Sequence, residues 1–196
     1  MSDNLELWNK VEKTNPNYTK EAKIGGMKIT SIAPQYQIMM VTEQFGVYGK
    51  TWGFKNIVLS YDLVEKYNMV VFKGTFFFPD GEFEIINSCK LFMDRNLQML
   101  DDNFAKKIET DALTKAISKL GFNADIFLGK FDDVRYVNEL KEEFNKEGNE
   151  KVIEEYRIKI IGCSTKEELT NLWGKIPKDI QATHTKLVQE TASKLK

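Results

Sequence analysis

Between Thr51 and Phe92 the chain runs through three successive stretches dense in β-branched and aromatic residues, at 51–61, 67–78 and 81–92. Side chains of this kind suit a pleated, half-covered surface, so such runs form strands. Pro79-Asp80-Gly81 separates the last two. Proline presets one backbone angle of a tight turn and glycine accepts a left-handed one. Strands joined by so short a turn pair antiparallel. In Glu82-Phe83-Glu84-Ile85 polar and apolar residues alternate, which leaves one face of the sheet wet. The expected fold is α+β, built on an antiparallel meander of three strands, or four if residues 27–32 join it.

The other face of that sheet needs a cover, and residues 104–120 supply one. Phe104, Ile108, Ala112, Ala116 and Leu120 recur at helical spacing, with Leu113 and Ile117 beside them, the pattern of a long helix packed on the meander. Asp101 or Asp102 is placed to cap its start and Gly121 to follow its end. Two further helices are expected upstream. Residues 5–13 space Leu5, Trp8 and Val11 helically, and Ala33-Pro34 opens a helix that Gly46 and Gly49 end. Lys10, Lys13, Lys20, Lys23 and Lys28 against Glu12 and Glu21 make residues 10–28 a lysine-rich arm.

Residues 1–137 therefore read as one packed domain. Residues 138–150 are highly charged and contain Gly148-Asn149, a helical tail passing into a linker. Residues 151–196 read as a small helical appendage. In it Ser164-Thr165-Lys166-Glu167 matches a capping box, Trp173 anchors the core, and Pro177 opens the last helix.

Several function classes are disfavoured. No G-x-x-x-x-G-K-[ST] occurs, and Gly46, Gly49 and Gly53 fit turns before a strand and no dinucleotide fingerprint. Cys89 and Cys163 lack metal-ligand spacing, and the single histidine, His184, sits among Gln181, Thr183, Thr185 and Lys186 and is expected on an exposed face. Neither a structural zinc site nor a histidine-dependent nucleophile is expected. Free thiols suit a reducing cytoplasm. The N-terminus is polar and acidic, and charges interrupt every apolar stretch, so neither a signal peptide nor a membrane span is expected. Asp80, Glu82 and Glu84 could hold a divalent ion in a nuclease but fit a solvated strand face better. Phe76-Phe77-Phe78 could stack bases, yet such a run usually sends alternate members to opposite faces of a sheet. The net charge is −1, so a nucleic-acid site would have to be a local concentration of positive charge. Lys115 and Lys119, one helical turn apart, share a face that could hold a phosphate track; Lys106 and Lys107 lie further round.

Two segments carry more information than their composition. Residues 25–53 read GGMKITSIAPQYQIMMVTEQFGVYGKTWG, and residues 105–127 read AKKIETDALTKAISKLGFNADIF. Together they resemble the annealing domain of the Rad-fifty-two superfamily, which includes the eukaryotic double-strand-break repair protein and many phage single-strand annealing proteins. There a Gly-Gly turn and short strand precede a helix ending in Phe-Gly and a tryptophan-bearing strand. After a β-meander comes a helix of the form A-x-T-D-x-L-x-[KR]-A-[LI]-x-x-[FL]-G. The likeness covers residues 5–137 and is closer to the compact phage members.

The resemblance implies an antiparallel sheet on a long helix, protomers assembled into rings or spirals, and a groove for single-stranded DNA. It implies no cofactor. Carried over by position, Lys115 falls on a groove residue and Lys119 next to another, with Lys20 or Lys23 in the arm. A second, outer site falls near Lys66 and Arg95. Thr114 and Ser118 stand where the eukaryotic protein has basic residues, which implies weaker binding or a shift to other lysines. The expected function is ATP-independent annealing of complementary strands in recombination, phage-encoded and in the cytoplasm of a bacterial host. A single-strand-binding protein or an exonuclease would be a partner. The alternatives are a strand-protecting binder that does not anneal, or an adaptor that recruits a partner through its helical tail.

Overall fold

The meander forms as a three-stranded antiparallel sheet. The computed structural model describes residues 3–24, 26–94 and 96–195. The chain is α+β and divides into two compact units, Met1–Val137 and Asn138–Lys196. The first unit opens with the short helix α1 (Glu6–Val11), the strands β1 (Thr19–Ile24) and β2 (Met27–Ile32), and helix α2 (Pro34–Phe45). Strands β3 (Gly53–Ser60), β4 (Met69–Phe78) and β5 (Gly81–Lys90) follow, with the one-turn helix α3 (Val64–Tyr67) between β3 and β4. Helices α4 (Phe104–Ser118) and α5 (Ala124–Phe127) close the unit, and α6 (Val134–Ile161) begins in it. Helices α7 (Lys166–Trp173) and α8 (Lys178–Lys194) belong to the second unit.

The meander has the order β3-β4-β5. Its period of two sorts the faces: Val70, Phe72 and Phe76 of β4 are buried, while Lys73 between them is exposed. Helix α4 packs across β5 and β4. Val41, Trp52, Phe72, Phe76, Ile85, Ile108 and Ile117 are fully buried in the resulting core, each large side chain contributing about 2–3 kcal/mol over its exposed state. Phe76 lies at this centre, 5.5 Å from both Phe54 and Phe83 between ring centroids, and Phe77 faces the other side of the sheet. The phenylalanine run is thus structural at Phe76. Trp52 is buried just ahead of β3, and its indole N–H donates to the Gly46 carbonyl at 2.9 Å, tying the end of α2 to the sheet.

Several expectations need correction. Residues 27–32 do not extend the meander; they pair with residues 19–24, read as part of an arm, in a separate two-stranded hairpin. Three charged residues among the six of Thr19–Ile24, and no apolar alternation, hid a strand whose Lys20, Glu21 and Lys23 are exposed. Helix α4 starts at Phe104, after Asn103, and neither aspartate caps it directly. Instead the Asp101 carboxylate accepts the Asn103 N–H at 3.1 Å and an ion pair from Lys107. Residues 138–150 are helical throughout, because α6 runs without a break for 28 residues and carries Gly148 inside it. One glycine costs a helix only about 1 kcal/mol, less than the surrounding turns supply. The capping box is shifted by one residue: Thr165 accepts the Glu168 N–H at 3.1 Å, and the Glu168 carboxylate accepts the Ser164 N–H at 2.8 Å.

In the second unit Ile160, Leu169, Ile176 and Ile180 form a core, with Trp173 half-buried against it. His184 is not exposed as expected. It is buried, and its Nε2 lies 2.8 Å from the Ile153 carbonyl oxygen. His184 follows Ile180 by one helical turn and precedes Val188 by another, so it occupies the inward stripe of α8 despite its polar neighbours.

The junction after α4 depends on a glycine. Gly121 has φ +95°, and a Cβ there would lie 2.7 Å from Cδ2 of Trp8. Gly26 has a similar φ of +87° but open space around it. Gly121→Ala is expected to lower stability by about 2 kcal/mol more than Gly26→Ala, since only the former adds overpacking to backbone strain. Urea unfolding followed by tryptophan fluorescence measures both; equal losses would show that α1 adjusts freely.

Candidate nucleic-acid interface

Among the described residues the sequence-predicted lysines fall on β1, α3 and α4, and only Lys115 and Lys119 share a face. Lys115 and Lys119 are exposed on the flank of α4 that faces β5. The Lys115 ammonium donates to the Ile86 carbonyl at 2.8 Å, and that of Lys119 lies 5.4 Å from the Phe83 ring centroid. Because β5 is an outer strand of its sheet, Lys115 covers a carbonyl at a strand edge while keeping its charge in solvent. Lys20 and Lys23 are exposed on β1, but their separation is odd, so they leave the hairpin on opposite faces. Lys20 stands opposite Ser31, and Lys23 stands opposite Lys28. Lys66 is on α3, with its ammonium 5.0 Å from the Tyr67 ring. Arg95 lies outside the described residues.

Thr114 and Ser118 have local partners of their own. The Thr114 hydroxyl donates to Oε1 of Gln37 at 2.8 Å, and that of Ser118 to the Lys115 carbonyl at 3.1 Å. Thr114 belongs to a buried polar chain. Gln37 Nε2 donates to Asn123 Oδ1 at 3.4 Å, and Asn123 Nδ2 donates to the Thr14 hydroxyl at 2.9 Å. That hydroxyl and the Thr14 N–H donate in turn to the Asp125 carboxyl, at 2.6 and 2.8 Å. A side chain at position 114 that served this chain could not also reach out to a phosphate.

A groove of about 800 Å³ opens between the first turns of α2 and the first three of α4. Pro34, Ile38, Tyr48 and Leu113 give it an apolar floor, and its polar lining balances Lys106 and Lys107 with Glu109 and Asp111. The hydrogen bond of Lys107 to Asp101 holds that carboxyl below the usual carboxylate range and raises Lys107 itself. Lys106 forms no ion pair among the described residues and is the freer cation of the two. The sequence placed Lys106 only further round the helix from Lys115 and Lys119, since nothing in a helical repeat shows that the start of α2 lies alongside α4 and leaves a groove there.

The acidic group on β5 does not converge. Glu82 pairs with Lys55 and Glu84 with Lys73, the latter at 3.1 Å. Among the described residues no cluster of His, Cys, Asp or Glu is arranged to hold a metal ion. No described helix is long and apolar enough to cross a membrane.

In comparisons with known proteins the chain matches no family model and no curated protein.

Two variants separate the buried chain from the surface. Asp125→Ala strips acceptors from the buried Thr14 N–H and hydroxyl and is expected to cost about 3 kcal/mol. Thr114→Val removes one donor at the chain's outer end and is expected to cost about 1 kcal/mol. Denaturant midpoints would check both; a neutral Asp125→Ala would contradict a structural role for the network.

Proposed function

We propose that this protein binds single-stranded DNA as a homo-oligomer and speeds the pairing of complementary strands without a nucleotide cofactor, in phage-type recombination. The observation that carries the reading is the α4 flank, where Lys115 and Lys119 project one turn apart from the helix whose sequence bears the T-D-x-L-x-K-A pattern. The order of elements supports it: a short strand, a helix, an antiparallel meander and a long helix, the order that the resemblance implies.

Lysines neutralise phosphates and release their counterions, which makes binding sensitive to salt and nearly indifferent to sequence. A strand held extended has already lost part of the conformational entropy that pairing would otherwise cost. Duplex formation is downhill, so no ATP is needed. A homo-oligomer repeats the site along the strand, so weak contacts at each copy add. With Thr114 and Ser118 in place of cations, each copy contributes few charges, and repetition matters more.

A second reading, that of an adaptor, draws on the helical unit. That unit has its own core, and Ile158 and Ile161 are exposed on α6. Its partner would be a single-strand-binding protein or an exonuclease.

The test of the binding site is the affinity for a labelled oligothymidine, measured by anisotropy across a salt series. Replacing Lys115 and Lys119 together by Ala is expected to reduce the slope of log affinity against log salt by about 0.7 for each phosphate that is no longer neutralised, with the unfolding midpoint unchanged. An unaltered slope and affinity would remove both lysines from the site.

A further inference from the structure

Tyr18 ends the short turn Pro16–Tyr18 that leads into β1. Its ring stacks on that of Tyr36, with centroids 4.4 Å apart and planes inclined by 5°. Tyr36 is the fixed member of the pair: it is buried in α2, its hydroxyl oxygen accepts the Asn15 N–H at 3.1 Å, and burial raises its pKa. Tyr18 is held from both sides of its own backbone. Its N–H donates to the Asn15 carbonyl at 3.1 Å, and its carbonyl accepts the Ala33 N–H at 2.9 Å. Yet Tyr18 is 43% exposed. One ring face is covered by Tyr36, so a ligand can reach the ring only at its opposite face and rim. The protein therefore presents an immobilised aromatic plane to solvent, with the entropy of ordering already lost in folding.

The charge around it points to the kind of ligand. The hairpin that follows carries Lys20, Lys23 and Lys28 against Glu21 alone. Lys23 and Lys28 are direct cross-strand partners, and like charges so placed repel. The Lys28–Glu21 pair at 3.1 Å is exposed and offsets this only in part. An anion between the lysines would relieve the repulsion. A flat apolar plane at the root of a hairpin that carries lysines on both of its faces matches a polymer of flat rings joined by phosphates, with its rings unpaired.

We infer that Tyr18 is a stacking seat for a nucleobase of the bound single strand, with the hairpin lysines taking adjoining phosphates. The inference rests on the DNA-binding reading above and adds a residue that contributes by stacking rather than by charge. Every base has a ring face, so the seat is indifferent to sequence. A duplex hides its base faces and is excluded.

The test separates stacking from charge. Tyr18→Leu keeps an apolar cover over Tyr36, and Tyr18→Trp keeps a stacking plane; far-UV circular dichroism checks that both fold. Affinity for oligothymidine is read by anisotropy over a salt series, and quenching of a 2-aminopurine base within an otherwise identical oligomer reads stacking directly. Tyr18→Leu is expected to weaken binding about tenfold at every salt concentration, with unchanged salt slope and reduced quenching. Tyr18→Trp is expected to bind as the unaltered protein does. Lys20→Ala with Lys23→Ala is expected to lower the slope instead. If Tyr18→Leu binds within twofold of the unaltered protein, or loses slope as the lysine variant does, the stacking seat is wrong while the DNA-binding reading stands. If the unaltered protein binds no single-stranded DNA, both fall.

Discussion

The carboxyl of Asp125 is fully buried and accepts four hydrogen bonds, from the Thr14 N–H and hydroxyl, the Ile126 N–H and the Tyr136 hydroxyl. Burying a carboxyl is costly unless its oxygens are satisfied, and here that requirement fixes geometry at a distance in sequence. Thr14 follows α1, Asp125 lies in the first turn of α5, and Tyr136 lies in α6. Asn123 extends the chain from this point to Gln37 of α2 and on to Thr114 of α4. Backbone bonds reinforce it: the N–H of Asn123 and of Asp125 donate to the carbonyls of Val11 and Glu12, at 3.1 and 3.2 Å. Asn123 holds a left-handed conformation, φ 59°, which places its amide among these partners. The N-terminal segment is thus locked beside the end of α4, and with it Tyr18 and the root of the hairpin.

What the lock positions is of more consequence than what it stabilises. The meander and α4 would bury their apolar faces without it, as the phenylalanines of β4 and the alanines of α4 show. The orientation of α2 against α4 is another matter. Gln37 is bonded to both Asn123 and Thr114, so the first turn of α2 has a set place relative to α4, and the groove that contains Lys106 lies along that seam. The other flank of α4 carries Lys115 and Lys119 against β5. One helix therefore presents cations on two sides, and the hairpin carries further lysines on both of its faces.

The parts of this fold that follow a strong period were legible in the sequence. Strands β4 and β5 alternate and the apolar face of α4 recurs near 3.6 residues, while β3 is marked by its β-branched and aromatic content and α2 by Pro34 at its start. The missed features lack so clear a pattern, for reasons that differ from one to the next. Thr19–Ile24 is a strand only because Met27–Ile32 lies beside it. His184 is buried because of where the inward stripe of α8 falls, not because of its neighbours in sequence. Gly148 was read as a break, although a single glycine is a small perturbation within 28 helical residues. For the site, the resemblance pointed to Lys115 and Lys119, which do share a flank. The opposed directions of Lys20 and Lys23 needed the register of the hairpin, and the stacked tyrosines needed the buried network that brings residues 18 and 36 together.

The central claim is that the assembled protein lowers the barrier to pairing rather than merely covering a strand. Following two complementary, dye-labelled oligonucleotides by energy transfer after rapid mixing, with the protein at concentrations below saturation and no nucleotide present, tests it most directly. The account predicts pairing faster than without protein, and loss of that acceleration as salt is raised. Binding of the single strands with pairing slowed or unchanged would contradict annealing and leave a strand-protecting role.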